Sequence, residues 1–335
     1  MTSTSARIDF RPLRHSELPE YGKLLLRAVG ELERATGLDQ GGDSLAVALA
    51  RWPVWLSLAF LRRIGRPFLE AYVAADGPRL VGTGTVVMFP RAGYVVGMAT
   101  EPEYRGRGIA SRILEHLATV VRRGHREWIA LDVEPENETA LRVYRRAGYR
   151  EVARFAWFRR PGLPTTNSPT VVPLPPASKQ ETEELLPRLD AHQSPEYRTA
   201  LPATLRMLTH NEIIFQGGRF EHRTWVGREA SGAPVGIRAY FFPATQMGVL
   251  FPLTTGPETA ALTSLFDQAT EWLRPNRPVS CLAIAPEADA TTAQALRRIG
   301  FTVVVSSTTM VSSVRPGPAG GSRKSPTTGP GSPVP

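Results

Sequence analysis

The chain has 335 residues, of which 42% are hydrophobic and 21% charged, and its formal net charge is +9 at pH 7. This length and hydrophobic content suit about two globular domains that each bury a core. Nearly all of the basic charge is arginine, since only Lys23, Lys179 and Lys324 are lysines, and no basic run is interleaved with aromatic residues. We therefore expect no nucleic-acid partner and assign most of the arginines to a solvated surface.

Cysteine, histidine and apolar residues exclude several other classes of protein. Cys281 is the single cysteine and cannot form an internal disulfide, which is typical of a reducing compartment. The six histidines lack metal-ligand spacing, so no metal is expected. No secretory signal is evident, and the most apolar stretch, 44–61, is interrupted by Arg51 and Pro53 and is short for a membrane span. The expectation is a cytoplasmic protein without a membrane partner.

The first half of the chain predicts the element order βααβββαβαβ. Hydrophobic periodicity indicates the first six elements, which are a strand at 7–13, a helix at 15–32, a helical stretch at 44–63 broken near Pro53, and strands at 68–74, 80–89 and 92–100. The next helix begins at Ile109 and ends at Gly124. The remaining elements are a strand at 128–133, a helix after Asn137 and one or two closing strands within 150–160.

A glycine-rich hexapeptide, Arg-Gly-Arg-Gly-Ile-Ala at 105–110, separates the strand 92–100 from the helix at Ile109. Gly106 and Gly108 lack Cβ atoms, so the backbone can turn sharply and approach an anion with its N–H groups. The helix adds the positive end of its dipole. The hexapeptide therefore predicts a phosphate-binding loop. Its spacing differs from Gly-x-Gly-x-x-Gly, which disfavours a Rossmann dinucleotide site.

Two segments resemble a known family. Residues 98–110 resemble motif A of the GCN5-related N-acetyltransferase (GNAT) superfamily, whose loop pattern is Arg/Gln-x-x-Gly-x-Gly/Ala. Residues 137–149 resemble motif B, with Asn137, Tyr144 and the terminal pair Gly148-Tyr149. The resemblance covers roughly residues 6–160 and implies an α/β fold, in which a mostly antiparallel mixed sheet is flanked by helices.

The resemblance implies a function and a set of site residues. The expected enzyme moves an acetyl group from acetyl-CoA, its co-substrate, to a primary amine by direct attack on the thioester. The N–H of Met98 or Thr100 would polarise the thioester carbonyl. Tyr144 would be the general acid, although its helical position also suits a core aromatic. The expected coenzyme-binding residues are Met98, Thr100, Arg105, Gly106, Arg107, Gly108, Ile109, Ala110 and Asn137.

Some roles remain open at the level of sequence. Asn137 either caps its helix or contacts the coenzyme, and the cap is favoured. Glu101 and Glu103 could act as bases through water, or could form solvated ion pairs with nearby arginines. The aromatic residues expected on the acceptor side either bind a hydrophobic acceptor or fill the core, and they are Trp52, Trp55, Phe155 and Trp157. The acceptor is a small-molecule amine or a peptide.

The second half resembles a degenerate copy of the first. The segment 297–304 echoes 145–152, and strand-like segments near 224–243 echo 71–90 at a similar separation. The segment matching the loop, 253–260, contains Gly256, Pro257 and Glu258, and Leu296 replaces the tyrosine. We therefore predict an acetyl-CoA-binding domain at 1–160, a linker at 161–170, a degenerate domain at 171–315 and a disordered tail at 316–335.

Two other classes of protein fit the same sequence. One is a non-catalytic acyl-CoA-binding regulatory protein. The other is a scaffold, in which the two repeats pack as an intramolecular pseudo-dimer and present a surface to a partner.

Overall fold

The described strands form one mixed sheet of eleven strands, in the order β1-β2-β3-β4-β5-β11-β6-β10-β9-β8-β7. The computed structural model describes residues 8–28, 69–163, 174–190, 194–201, 221–232, 234–243, 246–253 and 260–314. The strands are β1 Asp9–Pro12, β2 Leu69–Asp76, β3 Arg79–Met88, β4 Ala92–Thr100, β5 Trp128–Val133, β6 Arg150–Pro161, β7 Glu221–Arg228, β8 Pro234–Phe242, β9 Met247–Leu253, β10 Ser280–Pro286 and β11 Thr302–Ser313.

Helices cover both faces of this sheet. They are α1 Leu18–Ala28, α2 Ile109–Arg123, α3 Glu138–Arg146, α4 Lys179–Asp190, α5 Pro195–Ala200, α6 Ala260–Leu273 and α7 Ala290–Arg298. In the described parts of the chain, none of these helices combines the length and hydropathy that a bilayer span requires. The predicted α/β class with a mostly antiparallel sheet is confirmed, since only β4 with β5 and β9 with β10 pair in parallel.

Most predicted elements of the first half are present, and their ends differ in places. The strands at 92–100 and 128–133 have the predicted bounds. The closing segment is the single strand β6, which continues to Pro161. The first helix begins as a 3-10 turn at His15–Glu17 and is described to Ala28. The predicted helical stretch 44–63, with Trp52 and Trp55, lies outside the described residues, as do 254–259 of the degenerate loop segment.

Helix α2 packs directly on β3 because two glycines leave room for it. A Cβ atom on Gly82 would lie 2.5 Å from Ile109 Cγ2, and one on Gly84 would lie 2.6 Å from Ile113 Cγ2. Real Cβ atoms do not approach that closely, so larger residues would push α2 away from the sheet. The predicted apolar face of α2 is confirmed, since Ile109, Ile113, Leu117 and Val120 are buried.

Helix α1 covers the opposite face of the same strands. Tyr21 and Leu24 are fully buried there, and the Tyr21 hydroxyl hydrogen-bonds the Thr85 hydroxyl at 2.7 Å. A buried hydroxyl needs such a partner. The first five strands therefore have one face for α2 and another for α1.

The centre of the sheet joins the two halves of the chain by exchanging their last strands. β11, from the C-terminal half, lies between β5 and β6 and is antiparallel to both. β6, from the N-terminal half, lies between β11 and β10. Each half therefore contributes a strand to the hydrogen-bonded ladder of the other half.

A side-chain contact accompanies this exchange. Arg160 of β6 donates to the carbonyl oxygen of Ile299, at the C-terminal end of α7. A cation is favourable at the negative end of a helix dipole. Burial lowers the pKa of Arg160 from its usual value, which is the direction expected when a charged group loses water.

We predict that neither half folds alone and that the two halves complement each other. Residues 1–163 lack β11, so β5 keeps β4 on one side but loses its β11 partners along Trp128–Val133 on the other. β6 loses both of its neighbours, β11 and β10. Exposed apolar strand edges promote aggregation. When 1–163 and 171–335 are co-expressed, we expect an equimolar complex in size-exclusion chromatography, and we expect aggregation of each fragment expressed by itself. A monomeric 1–163 fragment with cooperative unfolding would contradict the interdependence.

Candidate functional site

The central feature of the site is a gap that opens between the parallel strands β4 and β5. The two strands pair over four positions only, ending at Val95 with Leu131. Beyond this point β4 continues to Thr100 without pairing to β5. The register of β4 against β3 shifts between Val96 and Ala99, around Gly97, whose φ is +65°. Such an irregularity bends a strand, and here it accompanies the divergence of β4 from β5.

The free edge of β4 presents backbone groups to this gap. The Glu101 N–H donates to the Val81 carbonyl oxygen of β3 at 2.9 Å. N–H groups alternate in direction along a regular strand, so the N–H of Thr100 points away from β3 and borders the gap. Met98 lies within the register shift between Val96 and Ala99, where this alternation is interrupted.

The predicted phosphate loop follows β4 directly. Gly106 and Gly108 have φ values of +77° and +75°, the left-handed region that glycine adopts without strain. Gly108 is the N-cap of α2, and no side chain caps the helix there. Within the described residues, no acceptor is recorded for the backbone N–H groups of 106–111. The loop and the first turn of α2 therefore present free N–H donors at the positive end of a helix.

The arginines around this loop have separate roles. Arg105 donates from Nε to the Thr100 carbonyl oxygen at 3.3 Å, and Arg107 donates to the Glu103 carbonyl oxygen at 3.1 Å. Both side chains are exposed. Arg112 instead stacks over the Phe10 ring, with its guanidinium carbon 3.8 Å from the ring centroid. Arg105 and Arg107 tie the loop to the end of β4 while their charges remain available to an anion.

The two carboxylates near the loop form ion pairs. Glu101 is 4% exposed and its carboxylate lies 2.6 Å from Arg27 of α1. Glu103 pairs with Arg79 at 3.0 Å. Hydrogen bonds from its own backbone N–H and from Arg79 lower the pKa of Glu103. Ion-paired carboxylates are poor proton acceptors, so this arrangement favours the ion-pair interpretation over the base.

Asn137 caps helix α3, as the sequence favoured. Its side-chain Oδ1 accepts from the Ala140 N–H at 3.1 Å. Because this bond satisfies one of the free N–H groups at the start of the helix, the residue has a structural role whether or not a coenzyme also contacts it. It fixes the start of the helix that carries Tyr144.

Tyr144 lies on α3 in the apolar cluster under α2. It is 8% exposed and packs with Leu141 and Tyr149; the Tyr144 and Tyr149 ring centroids are 5.9 Å apart. Burial raises the pKa of Tyr144 to about 12. The hydroxyl therefore stays protonated at neutral pH and can donate a hydrogen bond, but it is a weaker acid than an exposed tyrosine.

The structure adds Asp132, which the sequence analysis did not single out. Asp132 follows Leu131, the last β5 residue paired with β4. Neighbouring Leu131 packs in the core under α2, whereas Ala130 packs in the core under α1, so alternation directs Asp132 to the α1 face. In the sequence, the indication of a role for Asp132 was that it is the one charged residue in the apolar strand Trp-Ile-Ala-Leu-Asp-Val. The divergence of β4 from β5 then shows that this residue lies where the gap opens.

A strand from the other half of the chain supports Asp132. The hydroxyl of Thr309 on β11 lies 2.5 Å from the Asp132 carboxylate, and the two residues are direct cross-strand partners. Two residues earlier, Ser307 accepts from the indole N–H of Trp157 at 3.0 Å. These polar pairs form a row across β5, β11 and β6 on the α1 face.

Phe155 and Trp157 line the same face close to this row. Both are buried, at 7% and 8% exposure, and Phe155 packs on Tyr197 of α5 with ring centroids 6.1 Å apart. Both residues therefore contribute to the core at the junction of the two halves. The tightly packed contacts favour the core interpretation over direct acceptor binding.

Known proteins match the N-terminal half by sequence. Residues 43–149 match the Acetyltransferase (GNAT) family. The N-alpha-acetyltransferase RimI of Mycobacterium tuberculosis is 32% identical over 104 residues, covering 29% of this chain and 63% of the relative. N-alpha-acetyltransferase 30 of Schizosaccharomyces pombe is 31% identical over 88 residues, covering 24% of this chain and 56% of the relative. The chain thus spans about three fifths of the length of these curated relatives.

Solved structures match the fold of nearly the whole chain. A tandem GNAT protein from the clavulanic acid biosynthesis pathway superimposes with a TM-score of 0.53 at 15% identity, over 92% of this chain and 99% of the other. A putative acetyltransferase from Pyrococcus horikoshii gives a TM-score of 0.53 at 12% identity, over 93% and 91%. Identity this low shows a common fold only.

The sequence matches and the sheet with its diverging strands define the class of protein. Residues 43–149 match the Acetyltransferase (GNAT) family, and nearly the whole chain has the fold of a tandem GNAT protein. The predicted family resemblance is confirmed.

Burial of Tyr144 has a consequence for stability at high pH. Because its pKa is raised in the folded protein, the protonated tyrosine stabilises the fold fully below about pH 10, and this contribution is lost as the pH rises towards about 12. Between about pH 9 and about pH 11, we expect Tyr144→Phe to reduce the loss of unfolding free energy by about 1–1.5 kcal/mol.

Urea unfolding at about pH 9 and about pH 11 measures this difference. Tyr149→Phe removes the neighbouring buried hydroxyl. It should also make the unfolding free energy fall less between these two pH values, since burial raises the pKa of Tyr149 as well. An unchanged dependence on pH in Tyr144→Phe would mean that Tyr144 ionises normally in the folded protein.

Proposed function

We propose that the protein is an N-acetyltransferase that moves an acetyl group from acetyl-CoA to a primary amine, with its active site in the N-terminal half. The observation that carries this proposal is the divergence of β4 from β5 directly before a loop with free N–H donors. One groove thus offers an unpaired strand edge and an anion-binding helix end.

Successive parts of acetyl-CoA would meet the loop, the free edge of β4 and the carbonyl-polarising N–H groups in turn. Its pyrophosphate would bind the N–H groups of the 106–110 loop and the start of α2, beside the charges of Arg105 and Arg107. The pantetheine arm would pair with the free edge of β4 as an added strand does. The thioester would then lie near Met98 and Thr100, where a single N–H donor to the developing oxyanion is worth about 3 kcal/mol in other enzymes.

The reaction forms one bond and breaks one. The lone pair of the neutral amine attacks the thioester carbonyl carbon, a C–N bond forms and the C–S bond breaks. The electron pair of the C–S bond leaves with the thiolate, which takes up a proton, and the amine nitrogen loses a proton. The site therefore needs a proton acceptor near the amine and a hydrogen-bond donor near the sulfur.

We assign the proton acceptor to Asp132. It lies on the α1 face at the point where the gap opens. A carboxylate there can hold the amine as an ammonium ion and remove its proton before attack. The hydrogen bond from Thr309 keeps the carboxylate oriented. Thr309 is a positioning residue rather than a catalytic one.

We assign the donor near the sulfur to Tyr144, which packs on the α2 face of the sheet, opposite the face that carries Asp132. An ordinary thiol has a pKa near 8.5, whereas burial raises the pKa of Tyr144 to about 12. Complete proton transfer from Tyr144 to the thiolate is therefore unfavourable, because the tyrosine has the higher pKa of the two groups. The tyrosine stabilises the departing sulfur mainly by donating a hydrogen bond, and the thiolate is protonated from water afterwards.

The acceptor that we propose is a peptide N-terminus or a small amine. The relatives named above are N-alpha-acetyltransferases, and this supports the peptide. An N-terminal ammonium has a pKa near 7.7–8.0, so part of such an acceptor is already the neutral amine at neutral pH.

Gly108→Ala tests the coenzyme site, with Gly77→Ala as its matched control. Both glycines have positive φ, and a Cβ atom on either meets nothing within 4 Å. Each substitution therefore costs about 1 kcal/mol of backbone strain. Calorimetric titration with acetyl-CoA should give one site per chain for the wild type and for Gly77→Ala, and at least about tenfold weaker binding for Gly108→Ala. Equal affinity in the two variants would remove the loop from the coenzyme site.

Asp132→Asn tests whether Asp132 accepts the proton of the attacking amine. With acetyl-CoA and an amine, we expect kcat to fall about a hundredfold at neutral pH while acetyl-CoA affinity is retained. The deficit should shrink at higher pH, where the free amine no longer needs a base. Thr309→Val should cause a smaller fall, and Thr309→Ser should restore the rate. Wild-type turnover by Asp132→Asn would exclude Asp132 as the base.

A further inference from the structure

The C-terminal half contains a buried arginine whose charge is only partly matched. Arg238 on β8 is 4% exposed. Its Nε donates to the Thr224 hydroxyl at 2.8 Å, while its Nη1 atom is buried without a hydrogen-bond partner. No ion pair to Arg238 is found among the residues that the structure describes. A guanidinium carries five N–H donors, and the two on Nη1 have no hydrogen-bond partner.

This arrangement is energetically unusual. Charged side chains are almost never fully buried without a partner, because removing an ion from water costs several kcal/mol. Replacing such a residue with an apolar side chain of similar size is often neutral or stabilising. A buried guanidinium whose Nη1 lacks a partner, and which has no ion pair among the described residues, therefore indicates a site that an anion completes.

The position of Arg238 gives a second, independent indication of a ligand. The parallel strands β9 and β10 pair over four positions, ending at Leu250 with Ala283, and then diverge. The next β9 residue, Phe251, is the direct cross-strand partner of Arg238. Arg238 thus lies one strand away from the opening of a second gap, which is of the same kind as that between β4 and β5.

The same register identifies the corresponding residue of the N-terminal half. There, Val96 follows the last β4–β5 pair and is the cross-strand partner of Thr85. Thr85 is satisfied by the hydroxyl of Tyr21. In the C-terminal half an arginine takes the place of Thr85. The equivalent position has therefore changed from a neutral, satisfied hydroxyl to an unsatisfied cation.

The surroundings of Arg238 indicate the kind of anion. Ile237 and Ala239 pack in the core under α6, so Arg238 lies on the opposite face, with Tyr240 and Phe251. The rings of these two aromatic residues meet edge to face at 5.7 Å. One guanidinium balances a single negative charge, and its fork matches the two oxygens of a carboxylate. The aromatic neighbours suit an apolar group attached to that carboxylate.

We propose that the C-terminal half binds a small monocarboxylate with an apolar body, through Arg238, at the gap between β9 and β10. The carboxylate pairs with the free guanidinium N–H groups, and the apolar body lies against Phe251 and Tyr240. This site is separate from the proposed acetyl-CoA site and does not depend on the activity proposed for the N-terminal half.

The experiment uses the full chain and pairs each carboxylate with its neutral amide. Thermal unfolding and calorimetric titration are performed with acetate, hexanoate and benzoate, and with acetamide, hexanamide and benzamide. We expect hexanoate or benzoate to raise the Tm and to bind more tightly than acetate, and the amides to have no effect. Binding should persist in Gly108→Ala, which distinguishes this site from the coenzyme loop.

Three variants test the role of Arg238. Arg238→Met should fold with unchanged or higher Tm in the absence of carboxylate and should bind the carboxylate at least about tenfold more weakly. Arg238→Lys keeps the charge but loses the fork and should bind with intermediate affinity. Arg228→Met, which removes an exposed arginine from the end of β7, should behave like the wild type.

Three results would overturn the proposal. The first is a failure of every carboxylate to bind the wild type. The second is equal carboxylate affinity in Arg238→Met and the wild type. The third is a strongly lowered Tm of both Arg238→Met and Arg238→Lys without ligand, which would mean that the guanidinium is already paired within the protein.

Discussion

The divergence of two parallel strands is the constraint on which the rest of this structure depends. β4 and β5 remain paired as far as Val95 and Leu131, and the irregular backbone around Gly97 accompanies their separation. A strand edge that opens inside a sheet leaves backbone groups unsatisfied, and these groups are costly unless water or a ligand completes them. The glycines of β3 let α2 lie close to the sheet, so its N-terminus meets the end of this edge. The divergence and the helix together place an unpaired strand edge next to a helix N-terminus.

The exchange of β6 and β11 makes the site of one half depend on the other half. β11 supplies the ladder partner of β5, and through Thr309 it supplies the hydrogen bond to Asp132. A degenerate repeat can therefore be retained for reasons unrelated to binding a coenzyme of its own. Without β11, the strand that carries Asp132 would lie at an exposed edge of the sheet. Fusion of the two repeats in one chain keeps their local concentration high and favours the exchange.

The two halves share a backbone frame and differ in the polar groups placed on it. Both contain a pair of parallel strands that diverge after four positions. At corresponding positions, Thr85 is replaced by Arg238 and Tyr144 by Leu296. The first change adds a positive charge beside the gap, and the second removes a hydroxyl. The C-terminal frame is therefore suited to a different ligand rather than being an inactive duplicate.

The sequence by itself determined the elements and the class of the protein. Helical and strand periodicity predicted β4, α2 and β5, because these elements bury regular apolar faces, and the spacing of Gly106 and Gly108 identified the loop by the backbone conformation that only glycine adopts easily. The order of the strands depended on tertiary structure, since the sequences of β6 and β11 do not specify which strands they pair with. The roles of Asp132 and Arg238 also became evident only in the folded chain. Each is an ordinary charged residue in sequence, and its significance arises from the packing that places it near a gap between two strands, half-buried for Asp132 and buried for Arg238.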